Sequence, residues 1–286
     1  MTDNVPEVLR YAAFTADPAG GNPAGVVLDA TGLDDIAQLA IAAELGYSET
    51  AFLTPGSSER SFAVRYFSPL AEVPFCGHAT VATAVALAER IGPGELLFET
   101  GVGPVPVTVV AGPDALEATL TSVEPHVLTV PEADVAEALA LLHWSAADLD
   151  PSLPPRIAYA GARHLVLAAA TRARLADLAY DFDGLARYMT DRELTTLQLV
   201  WRESDTVFHV RDPFPVGGVV EDPVTGAAAA AFGAYLRELG ETTPAAVLTL
   251  HQGQDLGRPG RLRVELRAGD PRVRVSGTAV RIPAAE

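Results

Sequence analysis

Two similar stretches of this chain, Cys76-Gly77-His78-Ala79-Thr80 and Glu221-Asp222-Pro223-Val224-Thr225-Gly226-Ala227, decide the fold. Each follows a strand-like segment and leads into a run of small apolar residues that closes at a glycine, Gly92 in the first stretch and Gly240 in the second. We therefore predict two related halves, each with a helix whose N-terminal N–H groups suit a carboxylate. Two such N-termini facing each other would form an anion-binding cleft.

The segments around the two stretches repeat in the same order. A strand, a loop, a second strand, a helix and further strands are predicted over residues 9–98 and again over residues 156–210. A duplicated, strand-rich half around a helix is typical of an α+β fold rather than of a series of βαβ units. We place the N-terminal half at residues 1–125 and the C-terminal half at residues 126–286, with the last strand able to cross back to the first half.

Composition excludes several classes of partner. The 286 residues are 49% hydrophobic and 20% charged, as expected of a globular protein, and the net charge is −17. Such an acidic chain is unsuited to the phosphates of nucleic acids or to anionic membrane surfaces. Cys76 is the single cysteine, which excludes an intramolecular disulfide and a multi-cysteine metal site.

Further motifs are missing from the sequence. No basic segment followed by an apolar core begins the chain, and no apolar run approaches the roughly 20 residues that span a bilayer. We therefore predict a cytoplasmic protein. Neither a G-x-G-x-x-G after a strand nor a zincin-type pair of histidines is found, so we expect no nucleotide cofactor and no metal.

Three residues are candidates for acid–base chemistry: Glu49, His78 and Asp222. Glu49 sits where a predicted helix gives way to a buried strand, and desolvation there would raise its carboxyl pKa towards the range of a base that also acts as an acid. Each candidate also has an ordinary structural explanation: Glu49 as a surface residue at a strand end, His78 as a capping or packed histidine, and Asp222 as a turn or helix-start residue before Pro223.

Three other positions refine this picture. Asn22 offers a side-chain amide to a ligand, although Asn-Pro is also an ordinary turn. His164 follows Arg163 in a predicted strand and could line a cleft, but we expect it to be exposed to solvent. Thr225 occupies the place of Cys76 in the second half, which disfavours a racemase that needs a thiol in both halves.

Five motifs, in this order along the chain, resemble the PhzF phenazine-biosynthesis isomerase family. They are Gly21-Asn22-Pro23-Ala24-Gly25-Val26, Ser48-Glu49-Thr50-Ala51-Phe52, the two stretches quoted first, and Gln252-Gly253 with Gly257-Arg258-Pro259-Gly260. The resemblance implies a diaminopimelate-epimerase-like fold with two pseudo-symmetric halves. Each half is expected to be a mostly antiparallel or mixed, barrel-like sheet around a central helix, with the active site between the halves. It further implies a homodimer and no cofactor.

The resemblance also implies roles for single residues. Glu49 matches the proton-shuttling glutamate of the family, while His78 and Asp222 match polar groups that bind and orient the substrate. The expected substrate-binding positions are Asn22, Ser48, Gly77, Gly226 and Ala227. Ala227 stands where the family often has serine, and Pro74-Phe75 where a polar residue is common. Both departures make the expected substrate surface less polar and argue against the phenazine precursor as the substrate.

From these residues we expect a cofactor-independent isomerase of a biosynthetic pathway that moves a proton within a small unsaturated or amino carboxylic acid, with Glu49 as base and acid. Two alternatives stay open on the sequence. One is a lyase or epimerase that uses the same base, and the other is a non-catalytic protein that binds a small acid.

Overall fold

The computed structural model describes residues 6–283 and has a mixed α+β architecture. The helices of this part of the chain are α1 (Asp35–Leu45), α2 (Gly77–Ile91), α3 (Glu132–Leu141), α4 (Arg172–Ala176), α5 (Phe182–Asp191) and α6 (Gly226–Glu238). The strands are β1 (Leu9–Ala13), β2 (Asn22–Val27), β3 (Glu49–Pro55), β4 (Ser61–Phe67), β5 (Glu72–Val73), β6 (Gly94–Thr100), β7 (Gly103–Ala111), β8 (Leu116–Thr121), β9 (His126–Thr129), β10 (Arg156–Tyr159), β11 (Arg163–Ala168), β12 (Thr196–Arg202), β13 (Val207–Pro213), β14 (Glu221–Asp222), β15 (Ala246–Gln252), β16 (Gly260–Arg267) and β17 (Asp270–Arg281).

The chain divides into two compact units. Unit 1 comprises the residues up to Thr121 together with those from Ser276 onward, and unit 2 is Ser122–Val275. The boundary at residue 275 falls within β17, so this strand belongs to both units.

Unit 1 is a closed barrel of eight strands around α2. The strands pair in the order β1–β2–β3–β4–β6–β7–β8–β17, and β17 pairs with β1 to close the ring. The pairs β2–β3 and β4–β6 are parallel. Every residue of α2 from His78 to Ala88 is buried, and most of these residues are alanine, valine or threonine. The helix packs against β1, β2, β3, β7 and β8. Small side chains keep this helix thin enough to be enclosed by a single layer of strands.

Unit 2 repeats the plan of unit 1. Seven strands pair in the order β9–β10–β11–β12–β13–β15–β16, and the parallel pairs β11–β12 and β13–β15 correspond to β2–β3 and β4–β6. Helix α6 packs against β9, β10, β11 and β16. A Cβ on Gly233 would lie 2.8 Å from Cγ1 of Val264, so the absence of a side chain brings α6 close to β16. A second apolar cluster, which includes Trp144 and Met189, lies between α3, α5 and the sheet.

The predicted fold class is confirmed: the structure is α+β, and each unit has a sheet around a central helix of small residues. The alternation over residues 61–67 predicts a strand, and β4 has the same bounds. The apolar spacing from Asp34 to Leu45 predicts a helix, and this segment is α1 with Asp34 as its N-cap. None of the helices formed by residues 6–283 is long and apolar enough to cross a bilayer.

Candidate active site

In unit 1, two neighbouring strands begin with polar residues. Asn22 is the first residue of β2 and Glu49 is the first residue of β3, and the strands run parallel with Ala24 opposite Glu49. The chain reaches β3 from α1 through Gly46, which ends that helix in the left-handed conformation at φ 70°. Parallel pairing therefore places Asn22 and Glu49 at the same end of the sheet.

The N-terminus of α2 supplies the other groups. Cys76 is the N-cap, and His78 lies in the first turn. The Cys76 side chain makes no capping hydrogen bond, and the first turn holds no acidic residue. Thr80 stabilises this turn instead. Its hydroxyl donates to the Cys76 carbonyl at 2.6 Å and lies 2.6 Å from the Tyr66 hydroxyl.

His78 is the centre of a polar cluster of five side chains. Its Nε2 lies 3.4 Å from Oε2 of Glu49 and 3.3 Å from Oγ of Ser48. Its Nδ1 lies 3.2 Å from Nδ2 of Asn22 and 3.3 Å from Sγ of Cys76. The His78 side chain is 5% exposed and that of Glu49 is 15% exposed, so the cluster is largely shielded from water.

The contacts of His78 favour one tautomer. The amide nitrogen of Asn22 is a donor, so the Nδ1 that faces it is best placed as an acceptor. The proton of a neutral imidazole then sits on Nε2 and points towards the Glu49 carboxylate. A doubly protonated ring would set two donors against each other at Nδ1. These contacts favour the neutral ring, with its Nε2–H directed towards Glu49.

Burial raises the pKa of the Glu49 carboxyl above its ordinary value. Hydrogen bonds from Ser48 and Cys76 act in the opposite direction but are smaller effects. A carboxyl whose pKa is moved towards neutrality can accept a proton and then release it at the same pH. This is the electrostatic property that a single-base proton carrier requires.

Glu49, Cys76 and His78 are also the group of donors in residues 6–283 that is compact enough for a metal ion, because their ligand atoms lie within 4.8 Å of one another. Carboxylate, thiolate and imidazole are all ligands that Zn²⁺ accepts. The same atoms lie within hydrogen-bonding distance of one another or of Ser48 and Asn22, so the cluster is explained without an ion.

In unit 2, Asp222 ends β14 just before α6, whose N-cap is Thr225. The Thr225 hydroxyl donates to Oδ2 of Asp222 at 2.5 Å. Gln252, at the end of β15, accepts from the Thr225 N–H at 3.0 Å and donates to the Asp222 carbonyl at 2.9 Å. As in α2, the N-cap side chain does not cap its own helix, and no acidic residue lies in the first turn of α6.

Of the predicted site residues, Asn22, Ser48, Glu49 and His78 come together in unit 1, and Gly77 is the first residue of α2 beside them. In unit 2, Gly226 and Ala227 open α6 next to the Asp222 network. Their functional roles stay predictions.

The prediction for His164 was wrong. This residue is fully buried, its Nδ1 lies 2.8 Å from the Thr196 hydroxyl, and burial lowers its pKa to about 3. β11 and β12 are a parallel pair inside the sheet, which explains the burial.

Sequence reasoning also missed two residues. Gln252 was quoted within a motif without a role, and Asp212 was not considered, although it lies beside Asp222 in the sheet. Both are polar residues within sequence segments that are otherwise typical of buried strands, and this pattern could have identified them.

Comparison with known proteins identifies the family of this chain. The profile of the phenazine biosynthesis-like protein family, PhzC-PhzF, matches residues 11–285. The chain belongs to this family. It is 34% identical to an uncharacterized isomerase of Mesorhizobium japonicum, with 96% of each chain covered. It is 30% identical to the trans-2,3-dihydro-3-hydroxyanthranilate isomerase of Pseudomonas chlororaphis, with 94% of each chain covered.

Solved structures share the fold of this chain. A predicted epimerase of Pseudomonas aeruginosa superposes with a TM-score of 0.87 at 29% identity, and 99% of each chain is covered. A probable proline racemase of Agrobacterium radiobacter, at 13% identity and a TM-score of 0.66, shares the fold over 96% of this chain and 91% of its own. The expectation of a PhzF-like isomerase is thus confirmed at the level of the enzyme family.

Proposed function

We propose that this PhzF-family protein moves a proton between two carbons of a small unsaturated or amino carboxylic acid, with Glu49 as both base and acid. The observation that supports this most is the shielded carboxyl of Glu49, whose pKa is raised by burial while Nε2 of His78 lies 3.4 Å from it. An exposed carboxylate, with its ordinary low pKa, would be a weaker base towards a proton on carbon.

The proposed steps balance without a co-reactant. The Glu49 carboxylate takes a proton from one carbon of the substrate, and the electron pair of that C–H bond delocalises into the adjoining conjugated system. The neutral Glu49 then gives the same proton to another carbon, which regenerates the carboxylate. N–H groups near Gly77, at the start of α2, bind the substrate carboxylate, and His78 orients its polar groups. The family resemblance assigns the same two roles to Gly226 and Asp222 of unit 2.

The substrate class comes from the family. The named substrate of the Pseudomonas chlororaphis relative is an acid that also carries an amine, a hydroxyl and ring double bonds. It is the first compound to test here. Ala227, which is partly exposed at the start of α6, offers no hydroxyl to such a molecule, so we expect a less polar member of the class to react faster.

Epimerisation is the second candidate, because the Pseudomonas aeruginosa structure of the same fold is described as a predicted epimerase. It would remove the proton with the same base, but inversion requires a second group to reprotonate the same carbon on its opposite face. Homodimer formation and a cytoplasmic location also remain proposals, and light scattering on the purified protein tests the first.

The test is an isomerisation assay in D₂O on a panel of small unsaturated and amino carboxylic acids that includes the named substrate of the relative. We expect one or more acids to turn over, and internal transfer by Glu49 to keep part of the original protium in the product. Epimerisation would instead invert the starting carbon and place solvent deuterium on it, because a second group reprotonates the opposite face. Binding without turnover or exchange for every acid, seen by thermal shift, would show a non-catalytic binding protein and refute the proposal.

A further inference from the structure

The carboxyl of Asp212 is a buried acid that the proposed reaction does not use. Asp212 lies on β13, is 0% exposed, and stands directly opposite Asp222 of the antiparallel strand β14. Side chains directly opposite each other in such a pair lie on the same face, with Cβ atoms about 4.5–5.5 Å apart. Two like charges at this position would be destabilising, so one of these carboxyls has a strong physical reason to stay neutral.

Gln252 connects the two carboxyls. Its Oε1 accepts the Thr225 N–H at 3.0 Å, which fixes the orientation of the amide. Its Nε2 then faces three acceptors: the Asp222 carbonyl at 2.9 Å, the Thr225 hydroxyl at 3.2 Å and Oδ2 of Asp212 at 3.2 Å. The Thr225 hydroxyl itself donates to the Asp222 carboxylate. Asp212 is thus the buried end of a network that reaches Asp222 through two other side chains.

The surroundings of Asp212 favour the neutral acid. Its Oδ1 is buried and has no hydrogen-bond partner in the structure, which an ionised carboxylate tolerates poorly. Burial raises its pKa well above the ordinary value, and the charges of Asp222 and Glu221 add to this, whereas hydrogen bonds from Thr225 and Gln252 oppose it. The neighbouring Glu221 is itself paired with Arg211 at 2.7 Å.

We propose that Asp212 is a positioning residue: as a neutral carboxylic acid it anchors Gln252, and through Gln252 it holds Thr225 and the Asp222 carboxylate in place. When Asp212 carries a proton, the negative charge of Asp222 is not repelled by a second negative charge opposite it. The action on Gln252 and Thr225 is a property of unit 2 alone, while the effect on substrate rests on the proposed function of Asp222.

Two substitutions separate this role from simple packing. Asp212→Asn keeps a neutral oxygen that accepts from Gln252, whereas Asp212→Leu keeps similar bulk and removes the acceptor. Asp205→Asn, in the exposed turn before β13, is the matched control. The first readout needs no substrate. Infrared difference spectra at pH 7 should show the carbonyl band of a neutral carboxyl in the parent and its loss in Asp212→Asn, but no such loss in the control.

The second readout is hydrogen exchange at the Thr225 amide, which should stay protected in Asp212→Asn and exchange faster in Asp212→Leu. With the acid that turns over best in the D₂O panel, Asp212→Leu should raise KM by about tenfold, since one buried hydrogen-bond partner is lost, while kcat falls less. Asp212→Asn should stay within about threefold of the parent.

Two results would overturn the proposal: a parent spectrum without the neutral band, or equal damage to Thr225 protection by both variants. If the infrared and exchange results hold but KM is unchanged in Asp212→Leu, the network exists and Asp222 does not bind this substrate. That outcome refutes the effect on binding and is distinct from a failure of Glu49 as the base, which would appear as turnover by Glu49→Gln.

Discussion

Replacing Glu49 by glutamine is the perturbation that bears most directly on the proposed chemistry. Glutamine has the same length and keeps an oxygen to accept from Ser48 and from Nε2 of His78, which lies 3.4 Å from Oε2 in the parent. It cannot take up a proton from carbon. We therefore expect the fold to be kept and the proton transfer to be lost.

The magnitude follows from the single-base arrangement. General acid–base catalysis contributes roughly 10²–10⁴-fold to rate, which corresponds to about 2.7–5.5 kcal/mol at 1.36 kcal/mol per factor of ten. Because Glu49 is assigned both halves of the transfer, we expect the loss at the upper end of this range.

Stability gives an independent check with a definite sign. The pKa of Glu49 is raised by folding, so the folded state binds the extra proton and the stability of the parent falls as pH rises from the unfolded value, about 4.3, through the folded value. Glu49→Gln has no such loss. The unfolding free energy of the variant minus that of the parent should therefore be larger at pH 7 than below pH ~4. Urea unfolding of both proteins at both pH values measures this difference.

The assay is the initial rate with the best acid of the D₂O panel, measured as a function of pH. In the parent, kcat/KM should rise with pH through the raised pKa of Glu49, and the variant should lack this limb. Glu44→Gln removes an exposed carboxylate of α1 five positions earlier and should behave like the parent. Turnover by Glu49→Gln within about tenfold of the parent would refute Glu49 as the base.

Three further outcomes are expected. Cys76→Ser and an excess of chelator should each leave the rate within about threefold of the parent, because the account gives the thiol and a metal no step; loss of activity with chelator, restored by Zn²⁺, would contradict this. Gly233→Ala should destabilise unit 2 by about 1–3 kcal/mol in urea unfolding, since the new methyl would lie 2.8 Å from Cγ1 of Val264. Glu221→Gln should cost about 3–5 kcal/mol by the same measurement, because it leaves the buried Arg211 guanidinium without its carboxylate partner 2.7 Å away; an unchanged midpoint would show that the pair carries no net stability.

The fold was predictable because the chain carries its pattern twice. Alignment of the glycines that begin α2 and α6 locates both central helices, and the alternation over residues 61–67 locates β4. Helix α3 was missed although Val135, Ala138, Leu139 and Leu142 recur at helical spacing. It has no counterpart in the first half, so the repeat did not point to it.

The site was predictable in part. Glu49, His78 and Asn22 were identified, and the structure places them in one cluster, but local sequence could not show that Nδ1 and Nε2 of His78 face different partners. Asp212 was missed because its role depends on the residue opposite it, Asp222 of the neighbouring strand. The register between β13 and β14 cannot be predicted from either strand alone. His164 was predicted wrongly because burial of a histidine between parallel strands is a tertiary property.

The most direct test of the account is the titration of the Glu49 carboxyl itself. Carbon NMR of protein labelled at the glutamate carboxyl carbons, with Glu49→Gln used to assign the resonance, gives its pKa in the folded protein. We predict a pKa above the ordinary value of about 4.3, and a further rise in Ser48→Ala, which removes a hydrogen bond that lowers the pKa. A pKa at or below about 4.3 would show that the fold does not make Glu49 a stronger base, and it would contradict the claim that burial prepares this carboxylate to take a proton from carbon.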